Sequence, residues 1–211
     1  GVNGFTTLQI KSGTSRIYNV LSDSMRNSIT EVIGFNIPKT FSNNVFASCK
    51  NLKTEYTISS KVTSIGNNAF KDSGIIFTSV DLTSCSGNNS VGYNAFTGTT
   101  VKKLVVNNNG VKNNSESDSS SYPFYGVKGF ETLKLTGTVF RDVMSASMKA
   151  TVSNIEGFNG VTVFYSDVLA GCRIKDSLII SSNVTSIGSN AFKSSGITFD
   201  SVDLTSCSGN N

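Results

Sequence analysis

Histidine and tryptophan are absent from the 211 residues, and proline occurs twice. Without histidine the chain lacks the commonest metal ligand and the side chain most often used as a general base near neutral pH. Four cysteines, Cys49, Cys85, Cys172 and Cys207, stand alone with no Cys-x-x-Cys spacing, so no zinc centre, no other metal and no cofactor is expected. Charged residues make up only 15% of the chain, and the net charge of +4 is spread along it. No Lys/Arg block exists to neutralise a row of phosphates, so nucleic acid is not an expected partner. No apolar run reaches the roughly 18 residues of a membrane-spanning helix, and no membrane insertion is expected of this segment. No secretory signal is visible, and the start Gly1-Val2-Asn3 reads as processed or engineered, which leaves the compartment open.

Serine, threonine, asparagine and glycine supply the polarity that charge does not. These residues suit tight turns, because Gly and Asn tolerate positive φ and short polar side chains bond nearby backbone. Self-comparison shows why so many turns are needed. Val62-Thr63-Ser64-Ile65-Gly66-Asn67-Asn68-Ala69-Phe70 returns as Val184-Thr185-Ser186-Ile187-Gly188-Ser189-Asn190-Ala191-Phe192, and residues 79–89 return unchanged as 201–211. Gly4-Phe5 pairs with Gly129-Phe130, and Gly34-Phe35-Asn36 with Gly157-Phe158-Asn159. Long repeats 2–89 and 127–211 are thus joined by 90–126 within one unit spanning 1–211.

A shorter period lies inside each long one. Alternating segments centre on Leu8, Val32, Tyr56, Val80, Leu104, Leu133, Ile155, Leu178 and Val202, spaced by 24, 24, 24, 24, 29, 22, 23 and 24 residues. A second apolar marker recurs between them at Met25, Phe46, Phe70, Phe96, Phe124, Met148, Leu169 and Phe192. Period-two alternation, as in Phe130-Glu131-Thr132-Leu133-Lys134-Leu135, reads as half-buried strand. The stretch between strand and Phe marker is too short for a long helix and reads as loop, turn and at most one helical or 3₁₀ turn. A unit of this size cannot bury its own apolar face, so neighbours must stack into a continuous core. The expected fold is a mainly-β repeat solenoid of about nine short parallel strands.

The run Val62 to Leu82 resembles the BspA-like (Treponema-type) class of leucine-rich repeats, through Val-Thr-Ser-Ile-Gly-x-x-Ala-Phe followed by Ser-Gly-Ile and Ser-Val-Asp-Leu. Val91 to Phe96 is a shorter version, and Phe46-Ala47-Ser48-Cys49-Lys50-Asn51-Leu52 supplies the family's Phe-x-x-Cys-x-x-Leu portion. The likeness covers nearly the whole chain, strongly over 45–106 and 168–205, more weakly over 1–44 and 127–167; the strand-closing proline of the family survives only as Pro38. The resemblance implies a right-handed, curved leucine-rich-repeat solenoid, on a cell surface or secreted, that adheres to host or microbial proteins or glycans. It implies no active site.

Acidic residues Glu31, Glu55, Asp81, Glu156 and Asp203 lie beside strand centres and should point outward. Paired carboxylates about 5–10 Å apart can hydrolyse glycosides, and neighbouring strands would bring Glu55 toward Asp81. No Trp platform accompanies them, and a solvated ladder of charge is the ordinary outcome, so catalysis is not expected. Calcium at Asn88-Asn89 or Asn107-Asn108-Asn109 lacks the Gly-x-Gly-x-Asp spacing such sites use. The cysteines read as four buried free thiols packing as small apolar groups, a Cys49–Cys85 disulfide being the alternative; free thiols sit uneasily with an oxidising compartment. The candidate binding face runs along the strands through Gln9, Glu31, Glu55, Asp81, Lys103, Lys134, Glu156 and Asp203, with Ile33, Val105 and Ile179 among them. It shows no aromatic anchor. A loop at about 107–122, rich in Asn and Ser, interrupts the period. The second copy stops where the first continues into Ser90-Val91-Gly92, so the expectation is a fragment of a longer protein, monomeric or associating end to end. Two functions remain open: an interaction module, or a spacer that binds nothing itself.

Overall fold

The computed structural model describes residues 4–86, 90–107 and 122–208. Within them, nine strands stand at the nine apolar centres: β1 (Thr7–Gln9), β3 (Glu31–Ile33), β5 (Glu55–Ile58), β7 (Ile76–Asp81), β9 (Lys103–Val106), β10 (Thr132–Leu135), β12 (Asn154–Glu156), β14 (Ser177–Ile180) and β16 (Thr198–Val202). Shorter strands fall between them: β2 (Arg16–Ile17), β4 (Thr40–Phe41), β6 (Ser64–Ile65), β8 (Thr100–Val101), β11 (Val139–Phe140), β13 (Val163–Phe164) and β15 (Ser186–Ile187). Every pairing is parallel, so the chain is a mainly-β parallel-strand solenoid. The inserted loop expected at 107–122 and the Asn88-Asn89 turn lie almost wholly outside the described residues.

The main ladder runs in three hydrogen-bonded stretches: β1–β3, then β5–β7–β9–β10–β12, then β14–β16. A strand edge leaves amides that need acceptors, and at both interruptions a side chain of the next coil provides one. The Val32 amide donates to the Tyr56 hydroxyl at 2.7 Å, and the Ile155 amide to the Asp176 carboxylate at 3.2 Å. A second ladder, which the sequence reading did not anticipate, spans both interruptions as β2–β4–β6 and β11–β13–β15, with Ile65 bridging onward to Val91.

Two pairings correct the register inferred from spacing. Tyr56 faces Phe77 and Ile58 faces Val80, leaving Thr78 as an extra residue; Leu178 faces Phe199 and Ile180 faces Val202, leaving Asp200 extra. Phe77 and Val80 are three residues apart, so strict alternation would turn one of them outward. The β-bulge turns both inward, and both are buried. Thr78 is held at the bulge by Thr57 at 2.8 Å and by the Tyr56 carbonyl at 3.3 Å.

Between the ladders each coil makes tight turns. Asn44, Asn68, Asn94, Asp167 and Asn190 adopt left-handed backbone, Asn68 with φ of 54°, and a second such position follows four residues later at Ser48, Asp72, Gly98, Gly171 and Ser194. Asn and Asp bear this conformation better than other non-glycine residues. The glycine of Ile-Gly-x-x-Ala-Phe has another reason. A Cβ on Gly66 would lie 2.5 Å from the Asn43 nitrogen and 2.7 Å from the Ser42 carbonyl carbon, and Gly92 and Gly188 face Asn67 and Ser166 in the same way. The motif marks where one coil's backbone touches the next.

Where that motif has decayed, a short helix takes its place: α1 (Asp23–Ser28) and α2 (Ala146–Lys149), each with an N-cap serine, Ser22 or Ser145, accepting from the amide three residues on at 3.4 Å. A 3₁₀ turn forms at Phe158–Gly160. One apolar cluster runs from Ile10 to Ala191, with Phe46, Phe70, Phe96 and Phe124 stacked along it at centroid separations of 6.2, 5.3 and 5.1 Å.

Each helix also carries a cation across to the next coil, Arg26 buried and Lys149 largely so. Arg26 donates to the carbonyls of Ala47 at 2.6 Å and Asn44 at 2.9 Å, and to the Asn19 side chain. Its counterpart in the second long repeat is Lys149, which pairs with Asp142 and donates to the Asp167 carbonyl at 2.8 Å. The exchange of Arg and Asn for Lys and Asp keeps one cation and one oxygen acceptor at each place.

Candidate interaction surface

The outward side of the main ladder is built by strands whose inward side chains are fixed in the core, so its residues stand at defined register positions. In β9, β10 and β12, Lys103 faces Thr132, Thr132 faces Asn154, and Lys134 faces Glu156. Glu156 reaches diagonally across β10 to Lys103, whose Nζ lies 2.7 and 2.8 Å from the two carboxylate oxygens; Lys134 Nζ lies 3.8 Å from Oε2. Beside this cluster Lys102 meets Glu55 at 2.8 Å. The hydrogen bond that Lys102 donates to Glu55 holds the Lys102 ammonium above its usual pKa, with the Glu55 charge and that of Glu131 adding to it. These side chains are each about a third or more exposed. Exposed pairs of this kind contribute little to stability, so the cluster is a presented pattern of three ammonium groups and two carboxylates more than a brace.

The other expected face residues are placed differently. Gln9 and Glu31 are exposed on β1 and β3, where Glu31 faces Thr7 and Gln9 faces Ile33, across the first interruption from the charged cluster. Asp81 and Asp203 are occupied locally. Each accepts from the amide and hydroxyl of the threonine two residues on, Thr83 at 2.9 and 2.6 Å and Thr205 at 2.9 and 2.7 Å. Those bonds hold Asp203 below the usual carboxylate range, the backbone bond from Thr205 first. Both aspartates therefore close the turn after a strand. Glu55 and Asp81 do not approach as neighbours: the bulge sets Glu55 opposite Ile76, and Asp81 faces Val105. Val105 itself is buried, which removes it from the face, whereas Ile33 and Ile179 are exposed. Of the Asn-rich turns, Asn107 is described, and its side-chain amide donates to the Thr83 carbonyl.

Aromatic residues do reach the surface, but beside the second ladder. Tyr18 follows β2, Tyr165 follows β13, and Tyr93 lies just past the Val91 bridge; all three are exposed, as is Tyr125. Arg141 lies 4.5 Å from the Tyr165 ring centroid and donates to its hydroxyl at 3.2 Å, and Arg16 lies 5.9 Å from the Tyr18 ring. Tyr and Arg are the residue types that anchor interfaces most often. For two of them the signal was in the sequence: Tyr18 and Tyr165 directly follow a short apolar rung, at the position that Gly66 and Gly188 occupy in other coils.

The cysteines are free, so no Cys49–Cys85 disulfide forms. Burial pushes the Cys49 thiol up to about 11 against the lowering effect of Arg26, and lifts Cys85 and Cys172 to about 12. Because the thiolate is the nucleophile, these three should resist a disulfide exchange reagent in the folded chain at pH 8. Cys207, which is partly exposed, should be modified first. Release of the reagent's chromophore in one fast step followed by three that wait on unfolding is the expected record; four equal fast steps would contradict the buried placement.

Among the described residues no helix is long and apolar enough to cross a membrane. The family described as "BspA type Leucine rich repeat region" matches in six copies, over residues 2–103, 39–139 and 77–198. A crystal structure of a leucine-rich repeat protein from Eubacterium ventriosum is 20% identical, with 98% of this chain and 72% of that one covered at a TM-score of 0.39. No curated protein matches the chain.

Proposed function

The chain belongs to the BspA-type leucine-rich-repeat family, and from that premise we propose that it is a non-enzymatic interaction module of a cell surface or of a secreted protein, adhesin-like, that binds a protein or glycan over the strand face. The observation that carries the reading is the cluster of Lys102, Lys103, Lys134, Glu55 and Glu156, which three adjacent strands and their neighbours fix in register without any need of it for stability. Fixed, solvated charge of both signs sets orientation and partner choice in an interface more than raw affinity. Exposed Ile33 and Ile179 flank it along the ladder and offer apolar contact.

A second reading, a spacer with no ligand of its own, is favoured by one observation: both carboxylates of the cluster are already paired within the chain. A glycan array and a panel of purified surface and matrix proteins, probed with the chain and with Lys103→Glu, Lys134→Glu and Glu55→Lys, separate the two. The interaction module predicts at least one ligand whose affinity drops about tenfold in one or more variants, the equivalent of about 1.4 kcal/mol. Binding that none of the three variants alters overturns the strand face as the site, and no binding at all leaves the spacer.

A further inference from the structure

Folding gathers cations that the sequence spreads out. Residues 13–20, 37–44, 61–68 and 90–94, which build the second ladder in the first long repeat, contain no Asp or Glu. They carry Arg16, Lys39 and Lys61 on three adjacent coils. Arg16 faces Thr40 and Thr40 faces Ser64, while the Lys39 backbone bonds to Ser15 and to Thr63, each at 2.8 Å. All three cations are exposed, and none makes an ion pair among the described residues. The whole chain has a net charge of +4, so most of the excess stands on this side. The matching sheet of the second long repeat differs: Asp142 follows Arg141, and Asp167 comes two residues after Tyr165.

Tyr18 and Tyr93, 60% and 52% exposed, stand at the two ends of this side, and small residues floor the space between them. Ser42 and Gly66 hold on the next two coils the position that Tyr18 holds on the first, with Asn43 and Asn67 beside them. The Asn43 Oδ1 accepts from the Asn67 amide at 2.8 Å, and the Asn67 Oδ1 accepts from the Tyr93 amide at 3.0 Å. A carboxamide has one accepting and one donating end. Here the accepting ends are spent on the next coil. The Nδ2 groups of these two exposed residues have no acceptor among the described residues. Solvent therefore meets chiefly donors: two amides, a guanidinium and two ammonium groups. They lie between two aromatic rings on coils three strand spacings, or about 14 Å, apart.

We infer that this side of the second ladder, from Tyr18 to Tyr93, binds a linear anionic glycan. Its sulfate or carboxylate oxygens accept from the cations and the two asparagine amides, and its sugar rings lie against the tyrosines. Charge complementarity selects an anion, and bonds from guanidinium and ammonium groups to anionic oxygens are stronger than neutral ones. A chain fits better than a single ion, because the donors form a row at the strand repeat and not a pocket. The aromatic faces, negative at their centres, attract sugar C–H groups. An acidic peptide fits less well. It needs an open strand edge or pockets for alternate side chains, whereas the strands here pair from coil to coil and the floor is Ser, Gly and Asn.

The test titrates the intact chain at physiological salt with oligomers of dextran sulfate, polygalacturonate and unmodified dextran, and with polyglutamate and single-stranded polythymidylate. One or both anionic sugars should bind and plain dextran should not; the pair tells sulfate from carboxylate. Arg16→Glu with Lys39→Glu is expected to weaken binding roughly tenfold or more, and Tyr18→Ala with Tyr93→Ala roughly threefold or more. All four positions are exposed, and unchanged thermal unfolding checks that both variants fold. Lys103→Glu, in the charged cluster of the main ladder, should leave this binding as it was. No binding of either anionic sugar overturns the inference, and so does binding that the tyrosine pair leaves unchanged or that Lys103→Glu weakens equally. Polyglutamate or polythymidylate bound as tightly as the sugars also overturns it, and makes an acidic peptide or a nucleic acid the occupant. Because Lys103→Glu reads the main ladder alone, failure here is separate from failure of the proposed function.

Discussion

Phe70→Ala is expected to destabilise the chain by about 3–5 kcal/mol, while Phe192→Ala, the same residue in the same motif of the second long repeat, is expected to cost about 1–2 kcal/mol because a half-buried ring gives up less apolar area. Phe70 is fully buried among Phe35, Phe41, Phe46, Phe77 and Phe96, with centroids 5.1 to 6.2 Å away on coils both before and after it. Phe192 has Phe158, Phe164 and Phe199 at 5.1 to 6.1 Å, and its far side has no covering ring among the described residues. Removing the first ring leaves a hole that two coils must share; removing the second leaves a notch that water can enter. Denaturant titration gives the total loss. Native-state amide exchange should place it on both sides of Phe70, since stacked repeats couple to their neighbours and not to distant units. Equal losses for the two variants would mean that the stack is not what buries these rings.

That contrast could be written from the sequence only in part. The nine strand centres were legible, because Leu8, Val32, Leu104, Leu133 and Ile155 are large apolar residues at nearly constant spacing, and that spacing has no other structural use. The second ladder was not. Its rungs, such as Arg16–Ile17 and Ser64–Ile65, are two residues long, too short for alternation to declare itself. The bulges at Thr78 and Asp200 were missed for a related reason: a count of residues between centres cannot say on which side of the extra residue the register changes. Phe77 and Val80, both apolar and three apart, carried the hint.

The site was less legible than the fold. Outward placement of Lys103, Lys134 and Glu156 followed from alternation, but Lys103 and Glu156 are 53 residues apart, and their contact depends on the two pairings that bring β9, β10 and β12 together. Asp81 and Asp203 look identical to Glu55 in a pattern of inward and outward positions. What sets them apart is side-chain length: an aspartate two residues before a threonine closes a turn on its own backbone, whereas a glutamate reaches across to another strand. The surface aromatic residues were not legible, because Tyr18, Tyr93 and Tyr165 lie beside the second ladder, which the period does not mark.

Lys149→Met is expected to cost about 3–5 kcal/mol at neutral pH, and most of that loss should vanish in acid. Asp142 and Lys149 are a largely buried pair beneath α2. Burial raises the Asp142 pKa above its ordinary value of 3.8, and the Lys149 charge and hydrogen bond oppose the rise. An acid whose folded pKa lies above its unfolded one binds its proton more tightly when folded. Its contribution therefore favours folding below the unfolded pKa and is lost as pH rises through the folded pKa. Taking Lys149 away removes the opposing effects, lifts the folded pKa further and leaves an uncompensated carboxylate at pH 7. Below that pKa the carboxyl is neutral and the methionine stem fills the space of the lysine stem, so denaturation at about pH 4 should show a clearly smaller deficit than at neutral pH. Adding Asp142→Asn to Lys149→Met should restore most of the neutral-pH stability, since Asn19 occupies the equivalent place beside Arg26. Arg26→Met is the control. Arg26 bonds to two carbonyls and an amide and to no carboxylate, so its deficit should not change over the same pH range. A Lys149→Met deficit that stays flat with pH and is not relieved by Asp142→Asn would assign the loss to the bond with the Asp167 carbonyl and not to the buried charge.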